Sequence, residues 1–123
     1  MTLICGRVNF FSGPHLVFKY WLRGKFMRII IVGCGNVGSS IASELNLEGH
    51  EISVVDINHG AVDKLANSLD VLGIEGNGAT YDVLVEAGAE YADLLIAATA
   101  RDEINLYSCL MAKAAGVTHT IAR

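Results

Sequence analysis

Gly33, Gly35 and Gly38 fall in G-x-G-x-x-G spacing within the stretch MRIIIVGCGNVG, and Asp56 follows 18 positions after Gly38 in EISVVDINHG. The chemistry open to such a set is the holding of a dinucleotide. Gly33 permits a tight turn from strand to helix, Gly35 lets a pyrophosphate approach the backbone without a Cβ in the way, and Gly38 lets the helix lie close to the strand. Backbone N–H groups at the helix start, together with the positive end of its dipole, hold the anion without a lysine. An acid at the end of the next strand accepts hydrogen bonds from ribose hydroxyls and repels a 2′-phosphate. NAD(H) or an adenine nucleotide is thereby favoured over NADP(H).

These residues work only if the elements around them place them. RIIIVG is a β-branched run of the kind buried on both faces of a sheet, and it ends in the glycine turn. The helix expected over Asn36 to Leu47 carries Val37, Ile41 and Leu45 on one face, and Gly49 ends it before the strand EISVVD. Val62, Leu65, Ala66 and Leu69 recur at helical spacing. VLGIEG, ADLLIAAT and VTHTIAR read as further strands, with TYDVLVEAG and RDEINLYSCLMAKAAG as helices between them. Strands alternating with helices predict an α/β fold with a doubly wound parallel sheet, Rossmann-like, in a single domain. Stopping at Arg123, it is one strand short of the usual six, as a fragment of something longer would be.

Composition agrees with one domain. The chain has 123 residues, 52% of them hydrophobic, with 13 Gly and a single Pro. The net charge of −4 conceals a change of sign: residues 1–26 hold Arg7, Lys19, Arg23 and Lys25 and no acid, whereas all 13 acidic residues lie beyond them. An acidic body without a basic stripe argues against nucleic acid as a partner. All four Phe, the only Trp and the only Pro also precede Met27, so residues 1–26 read as a leader of separate origin, non-native or without fixed structure. Its apolar runs are too interrupted for a transmembrane helix, although an interfacial anchor is compatible with HLVFKYWLRGKF. Residues 27–123 form the nucleotide-binding domain.

Catalytic groups are sparse. His50, His59 and His119 are scattered and read as solvated or loop histidines, not as bases or metal ligands. Neither Tyr91 nor Tyr107 has a lysine four residues on. Cys5, Cys34 and Cys109 make no C-x-x-C and read as reduced thiols. Cys34 lies where a helix N-terminus lowers a thiol pKa, but a small residue filling a tight turn is the simpler role. The domain is therefore expected to be no enzyme, with neither catalytic nor metal-binding residues. The alternative is the cofactor-binding fragment of an NAD-dependent dehydrogenase whose substrate domain is elsewhere.

IIIVGCGNVGSSIASELNLEGHEISVVDIN, EGNGATYDVLVEAGAEYADLLIAATARDEIN and TIAR together resemble the TrkA N-terminal family, the regulator-of-potassium-conductance (RCK, KTN) NAD-binding domain. The resemblance runs from about Met27 to Arg123. It implies a nucleotide-contacting set of Gly33, Cys34, Gly35, Asn36, Val37 and Gly38 in the loop, Asp56 and Ile57 after the second strand, and Asn77 and Gly78 after the third. Thr99 and Ala100 after the fourth strand and Arg123 at the last complete it. Asp102, Glu103 and Asn105 match the family's DExN, where acids in a first helical turn are also ordinary dipole partners. Asn77 and Ala79 depart from the family, which commonly has an acid or histidine and then a Thr or Ser there. The neutral Asn36 points to NAD(H), with ATP or ADP as the other candidate ligands. The resemblance further implies a cytoplasmic regulatory domain, peripheral to the inner face of the cell membrane. There it forms a homo-oligomer, a dimer or a higher ring, and acts on a potassium-translocating membrane subunit through ligand-dependent changes in assembly.

Overall fold

The strand where the two halves of the parallel sheet meet buries four of its five residues. In the computed structural model, which describes residues 3–5, 8–10 and 26–123, β3 (Arg28–Val32) is flanked on both sides by parallel neighbours. The numbering counts two short strands ahead of it, β1 (Leu3–Cys5) and β2 (Val8–Phe10). On one side of β3 lie β4 (Glu51–Asp56) and then β5 (Leu72–Glu75); on the other lie β6 (Leu94–Ala97) and then β7 (His119–Ala122). Val32 stands opposite Val55 of β4 and Ala97 of β6, so the strands finish level with one another.

Alternation along β3 feeds two separate apolar layers. Ile29 and Ile31 pack with Ile41 and Leu45 of α1 (Asn36–Leu47) and with Val62 and Leu65 of α2 (His59–Ser68). Ile30 and Val32 pack on the other face with Leu84 of α3 (Tyr81–Glu86) and with Cys109 and Ala112 of α4 (Asp102–Ala115). Side chains Ile29 to Val32 are all at most 2% exposed. Each contributes about 1.5–3 kcal/mol relative to staying in water, and only a central strand buries both faces at once. β5, at the edge, is half-exposed and holds no fully buried residue.

The sheet from β3 to β7 is the expected five-stranded parallel one, and its elements begin and end close to where the patterns put them. Helix α1 spans the expected Asn36–Leu47 and gives way to Gly49 at φ +87°, in the left-handed region. A 3-10 turn at Ala89–Tyr91 lies in the connection to β6, which has no periodicity to announce it. β2 runs parallel beside β7, with Val8 opposite Thr120 and Phe10 opposite Ala122, and β1 pairs antiparallel with β2. The position next to β7 is thus filled from the chain start. Most of the leader expected over residues 1–26 lies outside the described residues.

The chain leaves β3 for β4 and β5 on one side, then crosses to β6 and β7 on the other. Between the carboxyl ends of β3 and β6 the connections diverge, and this is where an open α/β sheet forms its ligand crevice.

Candidate functional site

Gly33 leaves β3 with φ +107°, a conformation L side chains rarely adopt. A Cβ on it would stand 3.0 Å from the carbonyl atoms of Ala98 and from the nitrogen of Thr99. The loop therefore rides directly on the peptide after β6. Gly38 faces inward: its Cβ would lie 1.8 Å from the Gly33 oxygen, so the first turn of α1 has its close contact with the end of β3 only without a side chain. Gly35 differs from both. A Cβ there would meet nothing within 4 Å, and the residue is exposed at the N-cap of α1.

That open position coincides with unsatisfied donors. The first turn of a helix has N–H groups with no partner inside the helix. In α1 no side chain caps them, and no acid lies in the first turn. Asn36 is exposed and Val37 half-buried beside them. Ser39 holds the loop from within, its hydroxyl donating to the Cys34 carbonyl at 2.9 Å and its amide to that of Gly35 at 2.8 Å. The open space over Gly35, backed by a helix start, fits an anionic group.

Asp56 closes the second side. Its Oδ2 accepts from the Cys34 amide at 2.7 Å, and its Oδ1 from the Asn58 amide at 2.9 Å. Each carboxylate oxygen has two lone pairs, so two acceptor sites stay available to hydroxyl donors. Ile57, the next residue, is 75% exposed. Asn58 then caps α2, its side-chain oxygen accepting from the Ala61 amide at 3.1 Å. Burial first, and the Asp56 carboxylate second, push the Cys34 thiol up to about 11. The helix start does not activate this thiol, which packs in the turn as a small apolar residue.

The third side is the peptide from Ala98 to Ala100, with Thr99 half-buried and Ala100 exposed. Asn105, fully buried in α4, organises it. Its Oδ1 accepts from the Thr99 amide at 2.9 Å and lies 2.6 Å from the Thr99 hydroxyl, while its Nδ2 donates to the Thr99 carbonyl at 3.1 Å. Arg123 extends from the end of β7 with its amide on the Ala97 carbonyl at 2.9 Å and its side chain exposed. Asp102 and Glu103 start α4 in the open; Glu103 is held below the usual carboxylate range by a backbone hydrogen bond first and by the Arg101 guanidinium second.

Asn77 and Gly78 lie in the turn after β5. A Cβ on Gly78 would come within 2.4 Å of Val32 Cγ1, so this residue lies against the end of β3 for reasons of packing. Exposed Asn77 folds the turn onto itself, its side-chain oxygen accepting from the Ala79 amide at 2.9 Å. Every residue expected at the site is thus found at the carboxyl ends of the strands. Gly33 and Gly78 meet neighbouring backbone or core there, whereas Gly35, Asn36, Ile57, Asn77, Ala100 and Arg123 are open to solvent.

The histidines do not behave alike. His59 is exposed between Asp63 at 3.0 Å and Glu75 at 3.6 Å. His50, expected to be solvated, is instead buried, with Nδ1 accepting from the Met27 amide at 3.1 Å at the opposite end of the sheet. A groove of about 360 Å³ lies at that same end, between the starts of β3 to β5 and Tyr91. Among the described residues its one basic side chain is Arg28, already paired with Glu51 at 2.8 Å. Among the described residues no cluster of three or more His, Cys, Asp or Glu could hold a metal, and no helix is long and apolar enough to cross a membrane.

Comparison with known proteins places these features in a family. Residues 29–123 match the TrkA-N domain family. The chain is 42% identical over 83 residues to the Trk system potassium uptake protein TrkA of Azorhizobium caulinodans, covering 68% of this chain and 18% of that protein. It is 40% identical over 97 residues to the protein of the same name from Halomonas elongata, covering 79% of this chain and 20% of that one. The chain thus spans about a fifth of the length of these curated relatives. Among solved structures, the TrkA-N domain of the inner membrane protein ybaL from Escherichia coli superposes with a TM-score of 0.71 at 25% identity, covering 81% of this chain and 74% of that one. The Shewanella denitrificans Kef CTD in its AMP bound form gives a TM-score of 0.67 at 27% identity, covering 78% and 58%. The family match runs from the second residue of β3 through β7 and includes every residue placed around the crevice, and on it the chain belongs to the TrkA-N domain family.

Proposed function

We propose that this chain is a regulatory nucleotide-binding domain of a Trk-type potassium uptake system, with NAD(H) as its preferred ligand and ATP or ADP as the alternatives. The observation that carries the proposal is the open position over Gly35 at an uncapped helix start, with the Asp56 carboxylate beside it. The phosphates rest over Gly35, on the amides of the first turn of α1, where the helix dipole adds to the hydrogen bonds. Asp56 accepts from ribose hydroxyls through its remaining lone pairs, and Ile57 offers an apolar surface beside it. Asn77, Thr99, Ala100 and Arg123 line the rest of the crevice. The AMP-bound state of the similar Kef CTD supports an adenine nucleotide in this fold.

No chemical step is assigned to the domain. Its relatives are named as components of potassium uptake. Occupancy of the crevice alters how copies of the domain pack, and the assembly in turn biases a membrane subunit that translocates potassium, from the cytoplasmic side. A ligand does this only by binding two assembly states with different affinity. The exposed stripe of Leu106, Tyr107 and Leu110 on α4 is the surface suited to self-association.

Equilibrium titration with NAD⁺, NADH, ATP and ADP, followed by sedimentation with and without the tightest ligand, tests both halves. Micromolar or tighter binding with a ligand-dependent change in mass supports the proposal. A monomer that stays unchanged at high concentration with saturating nucleotide removes the regulatory half, and absence of binding removes both.

A further inference from the structure

Asn105 does more than shape the third wall of the crevice. Its Nδ2 also lies 3.5 Å from the main-chain oxygen of Arg123, at the outer limit of a hydrogen bond, so one buried amide stands between the end of β6 and the end of β7. The orientation of that amide is fixed. Oδ1 must face the Thr99 N–H, a pure donor, because the flipped amide would set donor against donor. The Thr99 hydroxyl has a single proton for two acceptors, Asn105 Oδ1 at 2.6 Å and the Arg101 carbonyl at 3.1 Å, and it accepts from the Arg101 amide at 3.2 Å.

On its other side the Thr99 peptide lies beside the glycine loop, where a Cβ on Gly33 would crowd Ala98 and Thr99 at 3.0 Å. The contacts are continuous. Asp56 accepts from the Cys34 amide, Gly33 lies close beside the Thr99 peptide, Asn105 bonds that peptide on both its amide and its carbonyl, and the same Asn105 lies within reach of the Arg123 oxygen. A buried side chain with its hydrogen-bonding groups engaged rigidifies the segments it joins.

We propose that Asn105 is a positioning residue that couples occupancy of the glycine-loop crevice to the carboxyl end of β7. This rests on the nucleotide assignment above and deepens it: a ligand that orders the loop orders the Thr99 peptide, and Asn105 carries that order to Arg123. Energetic coupling of this kind is reciprocal, so a contact that fixes the Arg123 carbonyl tightens ligand binding at the loop.

Hydrogen–deuterium exchange on the 123-residue chain, with and without saturating NAD⁺ and, separately, ADP, reads both ends at once. In the wild type, protection is expected to rise severalfold in residues 33–39 and in residues 119–123 together. Asn105→Asp keeps both acceptor contacts to Thr99 and loses donation to the Thr99 and Arg123 carbonyls. Because Asn105 also shapes the crevice wall, the variant's affinity is expected to fall; with nucleotide raised until the variant is saturated, as titration verifies, protection at 119–123 is expected to be lost relative to protection at 33–39. Asn105→Ser, neutral and too short to reach either carbonyl, gives the same split should the buried charge of the Asp variant prevent folding. Protection of the loop with none at 119–123 in the wild type overturns the coupling and leaves the nucleotide assignment standing. Undiminished protection of 119–123 in a folded Asn105 variant overturns it as well. No protection anywhere by either nucleotide removes the nucleotide assignment, and the coupling falls with it.

Discussion

Asp56 Oδ2 accepts a hydrogen bond from the Cys34 amide at 2.7 Å, which ties the end of β4 to the glycine loop that leaves β3. The carboxylate thus has two tasks. It holds the loop in shape and keeps lone pairs free for a ligand. Asp56→Ala is expected to weaken NAD⁺ binding by about tenfold or more, given about 1.5–3 kcal/mol for a hydrogen bond to a charged group. NADP⁺, repelled by the wild-type carboxylate, is expected to lose much less. Calorimetric titration of both ligands checks this; equal affinities in mutant and wild type for every nucleotide would sink the ribose assignment.

Two glycines of one motif predict opposite phenotypes. Gly38→Ala puts a methyl on the Gly33 carbonyl oxygen and is expected to destabilise by several kcal/mol or to abolish folding. Gly35→Ala meets nothing, and its φ of −76° suits alanine, so its cost is limited to the poorer N-cap, about 0.5–1 kcal/mol. Nucleotide affinity is nevertheless expected to fall in Gly35→Ala, because the methyl occupies the space over the helix start. Thermal melts and titrations on the two variants separate the effects, and a Gly35→Ala protein that binds normally removes the phosphate from this position.

The thiols of Cys34 and Cys109 are raised to about 11 and about 12, in both cases chiefly by burial. Native protein is therefore expected to resist alkylation at these two residues at pH 8 and to react after unfolding, as site-resolved mass spectrometry will show. The stability consequence has a definite sign. Thiols in the unfolded chain ionise near about pH 8.5, whereas the folded chain keeps them protonated. Their contribution is complete below that pH and is lost as pH rises toward 11 and beyond. Urea midpoints are expected to be level from pH 6 to 8 and to fall by pH 10. Rapid labelling of native Cys34 at pH 8 would contradict the packing described.

His50 accepts from the Met27 amide while buried at the start of β4. Replacing it with alanine leaves that N–H without its partner and opens a cavity, at a cost of about 2–4 kcal/mol. The site lies at the far end of the sheet, so nucleotide affinity is expected to hold. Chemical denaturation beside titration distinguishes this from a functional role, which a large loss of affinity in folded protein would demonstrate.

Much of the fold was legible in local pattern. RIIIV, EISVVD and LLIA are apolar enough to require a central parallel sheet, and the stripe of Ile41 and Leu45 needed only helical periodicity to be placed. The 3-10 turn at Ala89–Tyr91 and the strands at Leu3–Cys5 and Val8–Phe10 carry no such periodicity, so nothing local announced them. His50 illustrates the same limit for single residues. An imidazole next to a helix end reads as solvated until its backbone partner, 23 residues away, is seen.

The sequence by itself determined the parallel α/β sheet, the glycine loop and the pairing of that loop with an acid at the end of the next strand. These follow from spacing along a chain whose strands and helices have fixed periods. Tertiary structure decided which of the motif's residues are scaffold and which face solvent. Gly33, Gly38 and Gly78 are constrained by atoms of Ala98, of Gly33 itself and of Val32, whereas Gly35 is open. It also decided that Asn105, one polar residue among several in DEIN, is the one buried between the ends of β6 and β7. Such assignments depend on contacts between segments far apart in the chain, and no local pattern encodes the distance between them.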